Sequence, residues 1–364
     1  MSTEILTIIG TYTKSMPFVE AKSEGIYVYK LNLETGELTY QSKATGIDNP
    51  AFLAISPSQK YLYSVNEVME RDGKKVGGVS AFQLDTEAGE LSFLNTESSE
   101  GPGPCHLMVD ATEKYVLAAN YGGGSVCVLP IQPDGSVGPA TDFIQHQGSS
   151  VNPNRQEAAH AHSINVDASN RYAYVPDLGM DKVVIYDLNV EAGKLTPNAQ
   201  AFIEAAPGVG PRHFDFHPNG RFAYVINELG NSVTGYVFDE STGSLTEIST
   251  APTLPDDFDG NNTTADIHVH PSGKFLYGSN RGHDSIAIFT VDETTGELTP
   301  AGHEWTQGKT PRNFGIDPTG KLLLAANQDT GSIATYFIDQ ESGGLTPTGH
   351  VADVPTPVCI KMIQ

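Results

Sequence analysis

Apolar residues alternate along short stretches that tight-turn residues interrupt. Phe214 and Phe216 precede Pro218-Asn219-Gly220, and Phe222, Tyr224 and Ile226 follow it. Period-two alternation on both sides of such a turn predicts two antiparallel strands. A third strand follows each pair, and then a fourth after a Thr-Gly turn, which recurs as ETGEL at 34–38, STGSL at 241–245 and TTGEL at 294–298. β-Branched and aromatic residues flank these turns, as strands prefer. No stretch has the spacing of a long amphipathic helix, so the predicted elements are all β.

The paired strands belong to a repeat. Its copies read PAFLAISPSQKYLYSVN at 50–66, PCHLMVDATEKYVLAAN at 104–120, AHSINVDASNRYAYVPD at 161–177 and PRHFDFHPNGRFAYVIN at 211–227, with two more at 264–280 and 311–327. The closing residues Asn66, Asn120, Asp177, Asn227, Asn280 and Asn327 lie 54, 57, 50, 53 and 47 residues apart, the length of one four-stranded propeller blade with its loops. Six blades are visible directly. A seventh is predicted to be split: ILTIIGTYT and SEGIYVYKLNLETGELT match the later strands of a unit, and the C-terminal PTPVCIKMI matches its first strand. Closure by both ends removes the exposed edges of an open sheet. The expectation is an all-β, seven-bladed β-propeller of four antiparallel strands per blade, forming a single domain over 1–364, although length alone suggests two or three.

The repeat also nominates a site. The second residue of each unit opens the first strand, and the residue after the closing Asn or Asp follows the second strand. Because 212 and 228 are symmetric about the turn glycine 220, and 265 and 281 about 273, the hairpin is expected to bring these positions together. Around the ring they are Ala51 and Glu67, Cys105 and Tyr121, His162 and Leu178, Arg212 and Glu228, Ala265 and Arg281, Arg312 and Gln328. With the first strand innermost, they are expected to line one mouth of a central channel. Three arginines there suit a phosphate or carboxylate, since the guanidinium fork binds such groups bidentately. The plainer reading is that Arg–Glu pairs satisfy each other between blades.

Charge narrows the partners. The chain has 44 acidic and 21 basic residues and a formal charge of -23, which argues against nucleic acid or an anionic membrane surface. No apolar stretch approaches membrane-spanning length, and MSTEILTIIGTY lacks the basic and apolar regions of a signal peptide. Cys105, Cys127 and Cys359 are odd in number and lack Cys-x-x-Cys spacing, so neither a disulfide framework nor a zinc site is indicated. A cytoplasmic location is expected. Oligomeric state is not legible.

Rival chemistries are weaker. His160-Ala161-His162 and His268-Val269-His270 have a spacing compatible with metal ligation. No carboxylate or Cys companion repeats at ligand spacing, and His270 falls at the turn position before Pro271, so backbone bonding is the ordinary reading. Tyr121-Gly122-Gly123-Gly124-Ser125 lacks the Lys-Ser/Thr and the helix of a phosphate loop and is read as a turn. The acidic loop Asp256-Asp257-Phe258-Asp259 lacks calcium-loop spacing.

Six segments together carry a resemblance: NPAFLAISP; GPCHLMVD with ANYGGGSV; HAHSINVD with VPDL; GPRHFDFHP with VINEL; ADIHVHP with SNRGHDSIAIF; and PRNFGIDP with AANQ. Over essentially the whole chain, and in the same order, these resemble the seven-bladed lactonase family, which includes bacterial 6-phosphogluconolactonases of the propeller type and fungal carboxymuconate lactonizing enzymes. The resemblance implies an active-site histidine at His162, arginines at Arg212 and Arg281, and a glutamate at Glu228. His160, two residues earlier, is the alternative histidine. Arg312, Glu67, His160 and His213 are the candidate substrate-binding residues. The implied reaction is hydrolysis of 6-phospho-D-glucono-1,5-lactone, a small anionic sugar lactone, with no metal and no organic cofactor. His162 or Glu228 is the base, and the arginines hold the oxyanion or phosphate. A different lactone, a carboxymuconate-type cyclisation, or a non-catalytic binding platform are the alternatives. The last lacks the Gly-His and Trp-Asp signature, and Trp305 is the single tryptophan.

Overall fold

The computed structural model describes residues 3–363. Their regular structure is all β, in seven four-stranded sheets. The split blade is present as expected. Pro357–Ile363 takes the edge position beside Glu4–Thr11, which is followed by Gly25–Asn32 and Leu38–Thr45. The terminal strands run antiparallel, with Ile9 opposite Ile360 and Gly10 opposite Cys359.

The chain falls into two compact units: residues 1–47, 215–237 and 247–364 form one, and residues 48–214 and 238–246 form the other. In the first, Ile5, Ile9, Tyr27, Leu31 and Ile360 of the terminal sheet pack on Leu322, Leu324 and Ile333. In the second, Leu117, Ala119, Val126 and Val128 pack on Ala161, Ile164, Ala173 and Val175. Middle strands are covered on both faces and so read as unbroken apolar runs. All six residues of Leu322–Asn327 are buried, whereas the outer strand Leu38–Thr45 is largely exposed.

Two hydrogen-bond themes explain why the repeat keeps its residues. The closing Asn binds the chain that enters its own blade: Asn66 Nδ2 donates to Asp48 O, Asn120 to Ser99 O, Asn280 to Thr253 O and Asn327 to Thr306 O, at 2.8–3.1 Å. A buried tyrosine in the second strand reaches a turn glycine farther along the chain. The Tyr63, Tyr174, Tyr224 and Tyr277 hydroxyls donate to Gly135, Gly243, Gly296 and Gly343 O at 2.6–3.0 Å. Each such bond contributes about 1 kcal/mol net, and leaving its buried carbonyl unpaired costs more.

Candidate active site

The hairpins that open each repeat are not straight. Pro104 lies opposite Asn120 and His106 opposite Ala119, so Cys105 is an extra residue between them. Pro311 lies opposite Asn327 and Asn313 opposite Ala326, leaving Arg312 extra. Thr264 pairs with Asn280 and Ile267 with Gly278, so two residues, Ala265 and Asp266, face one. These are β-bulges, which bend a strand and re-aim the inserted side chain. They correct the symmetric register expected from the turn glycines: Arg281 stands opposite Thr263, not Ala265, and Asn327 meets Pro311 in place of a 312–328 pair.

In the unit spanning 48–214, the candidate histidines sit in a run of rings. The centroid of Phe52 is 4.2 Å from His106, His106 is 5.4 Å from His213, His213 is 5.3 Å from His162, and His162 is 5.2 Å from Tyr121. Tyr121 then stacks on His160 at 4.6 Å and 20°. The two rival histidines differ in their bonding. His160 directs Nδ1 at Tyr121 O, 2.9 Å away, which ties it to the Tyr121 turn, and Nε2 at the exposed Glu157 carboxylate, 3.3 Å away. His162 is buried, with Cys105 Sγ 3.6 Å from its Nδ1. Arg212 is 2% exposed, and its carbonyl accepts from Ser163 Oγ at 2.9 Å. Glu67 is buried where its strand ends, its backbone tied in both directions to Asn49. Tyr121–Gly124 is a turn, as read. Gly124 has φ +59°, and a Cβ there would lie 2.2 Å from Ala159 O, so glycine is required.

In the other unit, Glu228 follows the strand Phe222–Asn227 and is fixed at both ends. Its carbonyl accepts from Thr264 N at 3.1 Å, while its Oε2 lies 3.0 Å from Arg281 Nη2. The same Nη2 donates to Thr264 O at 2.6 Å, and the side chains are only 5% and 12% exposed. This buried pair delivers a guanidinium and a carboxylate in one fixed geometry. Arg312, aimed by its bulge, lies over two rings, with Cζ 5.7 Å from the Tyr12 centroid and 5.3 Å from Phe18. Phe18, Lys22, Glu20, Gln328 and Asp329 line an adjoining cavity of about 550 Å3, a volume suited to a small metabolite.

The His268/His270 pair diverges. His270 Nε2 donates to Gly320 O at 2.7 Å and its Nδ1 accepts from Ser272 N, whereas His268 Nε2 lies 3.0 Å from Asp266 Oδ2. Among the described residues, no three His, Cys, Asp or Glu side chains come together to hold a metal ion.

Comparison with known proteins agrees with this architecture. Residues 7–362 match the family described as Lactonase, 7-bladed beta-propeller. The chain belongs to that lactonase family. A Bacillus subtilis relative named 6-phosphogluconolactonase is 39% identical over 312 residues, covering 86% of this chain and 85% of its own. The crystal structure of a Bacteroides fragilis protein is also 39% identical, with a TM-score of 0.92, and the match covers 100% of this chain and 99% of that one. The periplasmic gluconolactonase PpgL of Pseudomonas aeruginosa is 31% identical, with a TM-score of 0.92 and 99% coverage of both chains.

Within this lactonase fold, sequence reading missed three things. The Glu228–Arg281 pair joins residues 53 positions apart that no spacing rule links. Of the rings beneath Arg312, Phe18 lies outside the repeated segments, and Tyr12, within ILTIIGTYT, gave no sign of its partner. Cys105 was in view as a second-position residue, but its spacing gave no sign of its contact with His162.

Proposed function

We propose that the chain hydrolyses 6-phospho-D-glucono-1,5-lactone to 6-phosphogluconate, the lactone-opening step of the pentose phosphate pathway, as one domain in the cytoplasm. The observation that carries this reading is the name borne by the Bacillus subtilis relative over a match that spans most of both chains. The side chains suit the chemistry. Opening a lactone requires a base to take a proton from the attacking water, positive charge near the tetrahedral oxyanion, and a proton for the departing ring oxygen. His162 or Glu228 supplies the base, Arg212 and Arg281 hold the oxyanion or the phosphate, and Arg312 beside its cavity is a further phosphate ligand. Glu67, His160 and His213 contribute to substrate binding through their neighbours. Water is the only co-reactant, so the reaction as written needs no metal or organic cofactor.

The test is disappearance of the phosphorylated lactone, with spontaneous hydrolysis subtracted, for the wild type and for His162→Ala, Glu228→Gln and Arg281→Ala. Saturable turnover that falls by about a hundredfold or more in folded variants is expected. Wild-type turnover no faster than the buffer blank would sink the assignment. The Pseudomonas aeruginosa relative favours a second reading, because it is named for gluconolactone. Turnover of glucono-1,5-lactone at a kcat/KM above that of the phosphorylated substrate would transfer the assignment to it.

A further inference from the structure

Cys105 touches His162 at two atoms of the same residue. Its Sγ lies 3.1 Å from the His162 carbonyl oxygen and 3.6 Å from Nδ1 of the ring, and both residues are buried. The bulge between Pro104 and His106 is what turns the cysteine toward this partner. A thiol carries one proton and accepting lone pairs, whereas a carbonyl oxygen only accepts. The carbonyl is the nearer of the two, so S–H points at it. Nδ1 then faces a sulfur lone pair, which is satisfied when Nδ1 carries a proton and is not when Nδ1 is bare. The rings of Tyr121 and His213 pack against the imidazole, with centroids 5.2 and 5.3 Å away.

We infer that Cys105 is a positioning residue: it holds neutral His162 in the Nδ1–H tautomer, making Nε2 the nitrogen that takes the proton from the attacking water. An imidazole acts as a base only through the nitrogen that lacks a proton, and the group bonded to the other nitrogen decides which one that is. The catalytic half of this inference rests on the lactonase reading; the tautomer does not.

The experiment therefore reads both. In the full-length, 15N-labelled protein above neutral pH, long-range 1H–15N correlations report the tautomer of each histidine, with His162 assigned by the signals lost in His162→Gln. The wild type is expected to show protonated Nδ1 and bare Nε2. Cys105→Ala is expected to shift the population toward Nε2–H, and Cys105→Ser, whose hydroxyl can also donate and accept, to retain the wild-type form. In turnover, Cys105→Ala should lower kcat roughly ten- to hundredfold, as loss of an orienting partner typically does, with KM little changed and the acid limb of the pH profile displaced. Cys105→Ser should restore most of it. An Nε2–H wild type, or a tautomer unmoved in Cys105→Ala, overturns the inference. So does a Cys105→Ser enzyme reduced to the blank, which would make the sulfur a nucleophile. Expected spectra from a wild type that turns over no lactone would overturn the lactonase reading alone and leave the tautomer assignment standing.

Discussion

The two ends of the repeated hairpin follow opposite rules. At the turn end, one task recurs: the residue that opens the turn accepts hydrogen bonds from the turn's own backbone. Asp317 accepts from Thr319 N and Oγ1, Lys321 N and Leu322 N at 2.5–2.8 Å, and Asp110 and Asp167 bind their own turns in the same way. Where histidine stands at that position, His217 and His270 accept a turn N–H on Nδ1 and donate from Nε2 to Gly273 and Gly320 O, both at 2.7 Å. At the opposite end, the bulge leaves a residue outside the ladder, and that residue is cysteine in one unit, alanine in another and arginine in a third. Backbone donors constrain the turn residue, whereas a bulged residue stands outside the regular register of the ladder. Variation therefore accumulates where the chain can present new chemistry without unmaking the sheet.

Substitutions at each end sharpen this contrast. The largest effect is expected at the end that carries the candidate site. Arg281→Ala should abolish nearly all lactone turnover and also destabilise the fold by about 3–5 kcal/mol, because it strands the buried Glu228 carboxylate. Adding Glu228→Gln should recover most of the stability and none of the activity, as thermal melts and initial rates would show; recovery of activity would refute the separation. Asp317→Ala, at the turn end, should cost about 3 kcal/mol through its lost hydrogen bonds while turnover per folded molecule stays unchanged. A fall in kcat without a fall in stability would erase the distinction between the ends.

A smaller, pH-dependent effect is expected between them. Burial opposes a charge on His268, but Asp266 and Asp215 more than offset it and raise its pKa, with Lys361 pulling the other way. Burial also raises Asp215, against the pull of His268 and two backbone donors. Both groups hold their protons more tightly in the folded chain than in the unfolded one. The His268 contribution is thus complete below about pH 6.5, its unfolded value, and fades as pH climbs through the raised one. That of Asp215 is complete only below about pH 3.9 and is lost as pH rises through its own raised value. Denaturant midpoints should therefore decline from mildly acidic to mildly alkaline pH, and His268→Gln should flatten that decline. An unchanged slope in the variant would assign it elsewhere.

The blade count and the split blade were legible because a period of about fifty residues survives any local irregularity. The bulges were not. An insertion of one residue changes only the phase of the alternation, and at Cys105 and Arg312 a single strand residue precedes it, too few to show the change, so the turn glycine gave a register that the structure shifts at Cys105, Ala265 and Arg312. Glu228, Arg281 and His162 were legible as residue types at repeated positions, but their partners were not. Arg281 binds Glu228 because Thr264 ties both to one strand, a consequence of three-dimensional closure that one-dimensional spacing does not encode.

The seam between Glu4–Thr11 and Pro357–Ile363 also sets a timetable. During synthesis Thr11 leaves the ribosome 346 residues ahead of Pro357. At about 5–20 residues per second the wait is roughly tens of seconds. Throughout it, the edge of Glu4–Thr11 that Pro357–Ile363 later covers stays open to other strands, so mispairing is a hazard until the seam closes.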